Sequence, residues 1–580
     1  MSPSSGILKS FVVSKPATAF TASSAALGFF ALTPTPPLIP VALLIAIVRL
    51  SAWTFAPRQG GYTKGALQAL AIAAASGAAH LAPGLDATST PQAAFVVLAT
   101  IALGASAFAV ALVFAGVRFG RAGASHWTRL TVFPALWASG WASMAQVTGV
   151  GQLVTWSPVT GQGPYVWMRH LFGQWGVDWV TAAWAVVISE VLGDWLMDAP
   201  HHDEDALVDT DPLLVDHPHP EYGTVPHSSS KASTPLSRSR SLLVLTSLLL
   251  LLMLPSYTSP QTPLPYVASD DITNLRVACA LPTPCSGNPT LDDYIYETKQ
   301  LQAYANIILW PESAVRFESP AERDAAFAAI QNKSGATNKK LIGVSFEEYV
   351  PAEAVGQPGH RYNGFALLPL NGTPVMTYYK RNLVPITESF SLTPGTEPPS
   401  VFTIELDRPK GIQGPKKRPV PITASICLDF ASTSSFTPLE SRPALILAPG
   451  KTWHSSVGLA MWEQAKARAA ETGASVLWCD GGRGGLSGIA SPRYSEIVQV
   501  GPGSWTKQLG VPYPFDTRRT FYERGGQRMA FAAVWLVIAA GAAIEGAVAA
   551  LERSGVSAGT VVQAVLRKVR PGRESEHPEF

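Results

Sequence analysis

Charge is what this sequence has least of. Asp, Glu, Lys and Arg make up 14% of its 580 residues, against 47% for the AVILMFWYC set. Soluble domains carry about a quarter charged residues, so parts of this chain are expected to be embedded in a membrane. Charge of one sign is lacking too. With 43 basic and 41 acidic residues the net charge is +2, which argues against a nucleic-acid partner. The four cysteines are too few for a disulfide scaffold. Cys279 and Cys285 are close enough in sequence to bridge across a Pro-containing loop in an oxidising compartment, or to remain free thiols. Cys479, ending Ser475-Val476-Leu477-Trp478-Cys479, reads as a core strand residue. No separate cleavable leader is expected, because the first apolar run is followed at once by another and acts as an anchor.

Apolar runs are what the first half has in their place. Seven fall at roughly 17–32, 38–56, 65–82, 93–117, 130–150, 177–197 and 241–256, and an eighth at 529–551. A helix needs about 20 apolar residues to cross a bilayer, so the first and seventh have to tilt little or extend into the interface. Basic residues fall before the first run (Lys9, Lys15), in alternate loops (Arg58, Lys64; Arg118, Arg121, Arg129; Lys231, Arg238, Arg240) and after the eighth (Arg553, Lys568, Arg570). The intervening loops 33–37 and 83–92 have none, and 151–176 has only Arg169. Positive loops face the cytoplasm. Both termini are therefore expected there, with residues 257–528 on the opposite side.

The expected organisation is a seven-span membrane domain over 1–256, a catalytic domain over 265–528, a final span over 529–551 and a cytoplasmic tail over 552–580. Residues 199–240 read as a disordered cytoplasmic loop, acidic and then rich in Ser, Thr and Pro. Its His201, His202, His217, His219 and His227 are too irregularly spaced among prolines for a metal site, and no metal is expected. In the sixth span Glu190 and Asp194 share a helical face, either as functional carboxylates or turned toward the interface or another helix; Glu545 in the eighth reads the same way. Trp137, Trp141, Trp156, Trp167, Trp175, Trp179 and Trp184 are expected as interfacial anchors or as the lining of a lipid entrance.

Beyond Pro265 strands alternate with helices, which predicts βα units in a layered α/β domain. Residues 391–418 read as a loop and a lid candidate, and a helix over 457–472 turns Glu463, Lys466 and Glu471 to solvent. Two sequons, at Asn332 and Asn371, lie in this region.

Three stretches carry chemistry. Ile307-Ile308-Leu309-Trp310-Pro311-Glu312-Ser313 ends an apolar strand on a carboxylate, Thr377-Tyr378-Tyr379-Lys380 ends one on an amine, and Pro421 to Phe430 lifts out the thiol of Cys427. Strand ends are where an α/β fold gathers reactive groups from distant sequence. Glu312 as base, Lys380 as partner of thiolate and oxyanion, and Cys427 as nucleophile make an acyl-transfer set. Singly, they are a surface strand end, a solvated turn and a core thiol.

Their order and local strings, WPES, YYKRNLVP and SICLDF, resemble the nitrilase superfamily of carbon–nitrogen hydrolases, and within it the membrane-bound branch, apolipoprotein N-acyltransferase. The resemblance covers about 270–528 by motif and the membrane part by span count. It implies a polytopic helical membrane domain with a nitrilase-like αββα extracytoplasmic domain. It also implies a two-step reaction in which Glu312 deprotonates Cys427, and the thiolate takes an acyl chain from a phospholipid donor. Lys380 and the backbone N–H of Leu428 stabilise the oxyanion, and an amine acceptor such as a lipoprotein N-terminus resolves the thioester. Glu388 and Asp429 take supporting roles. A monomer without cofactor is implied. Leu428 departs from the aromatic residue that the family tends to have after the nucleophile, and the 449–454 loop also differs. The same triad serves an amidase if water resolves the thioester, and a catalytically dead membrane scaffold is the third reading.

Overall fold

The computed structural model describes residues 3–123, 125–197, 235–258, 262–283, 288–333, 340–352, 359–369 and 371–553. The expected disordered loop lies almost wholly outside the described residues, as do its histidines and Cys285.

Every apolar run folds as a helix. In chain order the helical part comprises α1 (Pro3–Ser14), α2 (Pro16–Ala31), α3 (Leu38–Phe55), α4 (Gly61–Ala79), α5 (Leu81–Ala87), α6 (Pro91–Ala122), α7 (His126–Val147), α8 (Met168–Phe172), α9 (Gln174–Met197), α10 (Pro235–Leu251) and α11 (Pro255–Thr258). Among the described residues five helices are long and apolar enough to cross a membrane: Leu38–Phe55, Pro91–Ala122, Gln174–Met197, Arg240–Thr258 and Phe521–Ala550. A sixth candidate is α4 with α5, bent by 62°. Pro83 has no N–H to offer the carbonyl of Ala79, and the helix breaks just before it. Of the eight expected spans, α2 is short at 16 residues, and α7 is diluted by Trp, Ser and Gln.

Three of the seven tryptophans depart from the expectation of interfacial anchors. Trp137 and Trp141 are fully buried; Trp137 meets Trp141 and Trp156 edge-to-face at centroid distances of 5.5 and 6.1 Å, and Trp141 stacks on Trp156 at 6.2 Å. Glu190 pairs with Arg49 of α3 at 2.8 Å, and Glu545 accepts from the Trp127 N–H at 3.2 Å and the Ser241 hydroxyl at 3.1 Å. Both carboxylates join helices to one another.

The second part alternates as β1 (Ile272–Cys279), α12 (Leu291–Leu301), β2 (Ile307–Leu309), β3 (Val315–Phe317), α13 (Pro320–Lys333), β4 (Leu341–Val350), β5 (His360–Pro369), β6 (Met376–Tyr379), β7 (Phe402–Asp407), β8 (Lys417–Ala424), β9 (Leu445–Gly450), α14 (Ser455–Thr472), β10 (Ser475–Asp480), β11 (Leu486–Ala490), β12 (Ser495–Val500), β13 (Trp505–Pro512) and the long α15 (Phe521–Arg553). Helix α12 starts on a capping box in which Thr290 and Asp293 satisfy each other's backbone N–H groups.

Two mixed sheets result. The first runs β13-β1-β2-β4-β5-β6, with β3 pairing β4, and the second runs β12-β11-β10-β9-β8-β7. The inward side chains of each, among them Leu275, Val277 and Phe365 of the first and Val420, Ile422 and Leu447 of the second, form one apolar layer. The other faces are covered by α12 and α13 on the first sheet and by α14 on the second. The order is helix, sheet, sheet, helix. Alternate residues feed alternate layers, as Val277 inward and Ala278 outward illustrate.

Three expectations need correction. Residues 402–407 are not loop: Ile404 and Leu406 point into the core while Thr403, Glu405 and Asp407 face water, a period of two that pairs β7 with β8. Glu463 and Glu471 are buried, because α8 packs on the outer face of α14. Glu471 there accepts from Arg468 at 2.7 Å and pairs with Arg169 at 3.3 Å. Cys279 is bonded to Cys479, not Cys285: the two face each other from β1 and β10 of opposite sheets, with Cα atoms 5.6 Å apart.

Candidate active site

Glu312 and Lys380 belong to the first sheet, Cys427 to the second. Glu312 stands three residues past β2, and its N–H donates across the sandwich to the Gly450 carbonyl at 3.3 Å. Lys380 follows β6 directly, its N–H bonded to the Asn363 carbonyl on β5 at 2.9 Å. Cys427 follows the end of β8 and has φ +41, a left-handed conformation rare for a side-chain-bearing residue and typical of strained functional turns.

Asp429 holds that turn. Its fully buried carboxylate accepts from the Ile426 N–H at 3.2 Å, the Asn382 N–H and side-chain amide at 2.8 Å each, and the Tyr378 hydroxyl at 2.7 Å. Because Tyr378 and Asn382 flank Lys380, one carboxylate ties the lysine segment to the cysteine turn.

The side-chain tips converge. Lys380 Nζ donates to Glu312 Oε1 at 2.6 Å and to Glu388 at 2.8 Å. The Asn363 amide donates to the same Glu312 oxygen at 2.9 Å. The Cys427 thiol feels Glu312, Lys380 and the backbone N–H of Lys451 electrostatically. Glu312, Lys380 and Cys427 are 3%, 1% and 6% exposed, so bulk water is largely excluded and their electrostatics are strengthened.

Burial pushes the Glu312 carboxyl above the usual range, aided by Glu388 and opposed by Lys380. Burial and the Glu312 charge together raise the Cys427 thiol well above its ordinary value, against the pull of Lys380. Burial disfavours the Lys380 ammonium, but Glu312, Cys427 and Glu388 outweigh it and hold the lysine charged. These directions favour a neutral Cys427 thiol beside a charged Lys380. Proton transfer to Glu312 accompanies nucleophilic attack.

A cavity of about 450 Å³ lies next to the cysteine turn, lined by Leu428 of that turn and by Asn382, but not by Glu312, Lys380 or Cys427 themselves. Leu428 and Asn382 line it from the catalytic side with Ser432, Thr433 and Ser434; Ala145, Gln146, Thr148, Gly149 and Gly151 line it from the end of α7, and Gln527 from α15. Close approach makes this junction. A Cβ on Gly149 would lie 3.2 Å from the Pro385 ring, and Gly151, at φ +57, rests against the Ala431 carbonyl.

The structure thus brings Glu312, Lys380, Cys427 and Glu388 together. Asp429 shapes the turn without touching the reacting groups, and Leu428 walls the cavity. Sequence reasoning missed Asn363, the Lys451 N–H and the α7 end. Only Asn363 left a signal, a polar residue within the strand Tyr362-Asn363-Gly364-Phe365. Among the described residues no group of His, Cys, Asp and Glu is arranged to hold a metal ion.

No family model and no curated protein matches the chain. Among solved structures it is similar to an amidase from Nesterenkonia sp., at 18% identity over 47% of this chain and 98% of that one, with a TM-score of 0.31. A variant of that amidase with the acetamide moiety of fluoroacetamide covalently added at its active-site cysteine matches at 18% identity, 45% and 97% coverage and 0.31. Glutamine-dependent NAD+ synthetase from Acinetobacter baumannii matches at 16%, 41% and 47% coverage and 0.30. TM-scores this low carry no weight for activity, which has to be reasoned from the side chains themselves.

Proposed function

We propose that the protein is a membrane N-acyltransferase with a nitrilase-like catalytic unit, moving a fatty acyl chain from a phospholipid to an amine through a thioester on Cys427. The observation that carries this reading is the buried Glu312–Lys380–Cys427 cluster with, next to Leu428 of its cysteine turn, a cavity walled partly by the ends of α7 and α15 of the helical bundle. A donor that lives in the bilayer reaches such a cavity from the membrane plane. A soluble-substrate hydrolase has no need of that wall.

In the first step Glu312 takes the thiol proton as Sγ attacks the ester carbonyl. Lys380 Nζ and the Leu428 N–H stabilise the oxyanion, and the lysophospholipid leaves with the proton from Glu312. In the second step Glu312 removes a proton from the incoming amine, nitrogen attacks the thioester carbonyl, and the amide leaves as Cys427 regains its proton. Glu388 keeps Lys380 oriented. No cofactor enters these steps. The charge asymmetry of the loops supports cytoplasmic termini and an extracytoplasmic catalytic unit, and so does the Cys279–Cys479 disulfide, a bond that persists in oxidising compartments.

The amidase reading has one observation in its favour: Thr148, Asn382, Ser432 and Ser434 give the cavity a polar lining that admits water and small amides. Incubation with phospholipid labelled in the acyl chain separates the two. Acyl transfer requires label trapped on Cys427, absent in Cys427→Ala, and sustained lysophospholipid release only when an amine is supplied. Release without amine favours hydrolysis. No label on Cys427 ends the acyltransferase reading.

A further inference from the structure

We propose that the Cys279–Cys479 disulfide is a positioning element of the active site, setting the distance between base and nucleophile across the sandwich, so that reactivity depends on this bond being closed. The reacting groups are split between sheets, Glu312 on the first and Cys427 with the Lys451 N–H on the second. The layer between the sheets is apolar, and hydrophobic contact is non-directional; it holds the sheets together without fixing their relative slide.

Specific ties must do that, and they are unequally placed. Asp429 ties the Lys380 segment to the cysteine turn through Tyr378 and Asn382. Arg418 of β8 ties the start of β1, donating to the Ile272 carbonyl at 2.5 Å. The glutamate segment has one long hydrogen bond, Glu312 N–H to Gly450, and beside it the disulfide. In register, Cys279 pairs with Leu309, three residues before Glu312, and Cys479 pairs with Pro449, two before Lys451. A Cβ on Gly481, two residues past Cys479, would meet the Pro311 ring at 2.7 Å, so the sheets touch where the bond is made. Next to Cys479, Asp480 fixes the same loop by accepting from the Thr452 N–H at 2.9 Å and its hydroxyl at 2.7 Å.

Closing the bond removes two protons and two electrons from the thiols of Cys279 and Cys479, passed by thiol–disulfide exchange to a disulfide donor of the compartment. Both sulfurs are fully buried, so closure belongs to folding and the bond is shielded afterwards. One consequence is a thiol enzyme kept poorly reactive until it reaches an oxidising compartment.

This rests on Cys427 as nucleophile and Glu312 as its base, not on the identity of the acyl donor, and the test avoids the donor altogether. The rate of Cys427 alkylation by iodoacetamide is followed by peptide mass spectrometry across pH in the wild-type protein and in Cys279→Ala/Cys479→Ala. A displacement of an ångström costs up to about a hundredfold in a positioned reaction. The expected result is a Cys427 rate at least ~10-fold lower in the variant, with loss of the acid limb set by Glu312. An unchanged rate and pH profile in folded variant, with only the unfolding temperature lowered, overturns the proposal. Where the variant does not accumulate, the wild-type protein is synthesised and folded in the presence of dithiothreitol, so that Cys279 and Cys479 stay as thiols and lose no electrons. After removal of the reductant, Cys427 alkylation is compared between oxidised and reduced molecules. Equal rates again overturn the proposal.

Discussion

Glu312 has to be ionised to accept the thiol proton, and burial and Glu388 both hold its pKa above the ordinary carboxylate range. Activity should therefore rise with pH through a limb displaced upward from that range, because the raised pKa keeps the carboxyl protonated to higher pH. Glu388→Gln removes one cause of the displacement. The pH–rate profile of that variant should show its acid limb moved to lower pH, with kcat reduced because Lys380 loses a partner. Glu312→Gln removes the base and should lower kcat by roughly 10²- to 10⁴-fold, measured as thioester formation on Cys427, without loss of the fold. Asp429 behaves differently. Its carboxylate is buried and gathers donors from both sheets, so Asp429→Ala leaves several of them unpaired at about 1–3 kcal/mol each, and should show first as a lowered denaturant midpoint.

At the scale of elements, the junction between α8 and α14 is where the helical bundle grips the layered unit. Glu471 sits there between Arg169 and Arg468, its pKa raised by burial and held down by the two guanidinium groups. Glu471→Ala leaves both cations buried without their shared carboxylate, at a cost of about 3–5 kcal/mol. Thermal unfolding should report that loss, whereas Lys417→Ala, which removes only an exposed pair with Asp407, should change it by less than about 1 kcal/mol. Strand β7 teaches a related lesson. Its alternation Phe402, Ile404, Leu406 is plain once paired with β8, but flanking Pro, Thr and Lys residues hid it among loop residues. The hairpin between β5 and β6 presents the Asn371 sequon, and Gln331 of α13, next to Asn332, donates to its Gly372 carbonyl at 2.8 Å.

For the whole molecule, the reading places a catalytic sandwich against one end of a helical bundle, with the reactive rim toward that end and the β5–β6 hairpin at the far side. Side-specific labelling tests this arrangement. A cysteine placed at the exposed Lys410 should react with a membrane-impermeant maleimide from the non-cytosolic side, and one placed at the exposed Arg58 only from the cytosolic side. The reverse pattern overturns the proposed orientation.

By itself the sequence determined the apolar helices, the alternation of strands and helices after Pro265, and the three strand ends that carry Glu312, Lys380 and Cys427. Those follow from local periodicity and from the chemistry of single side chains, which a linear reading registers directly. Only the tertiary structure decided which cysteine bridges which, that Glu471, Trp137 and Trp141 are interior, that Asn363 donates to Glu312, and that the end of α7 meets the cysteine turn across a cavity. Each depends on how two sheets stack and how the bundle caps them, and that stacking brings together residues as far apart as Cys279 and Cys479, whose separation of 200 positions leaves no periodic trace along the chain.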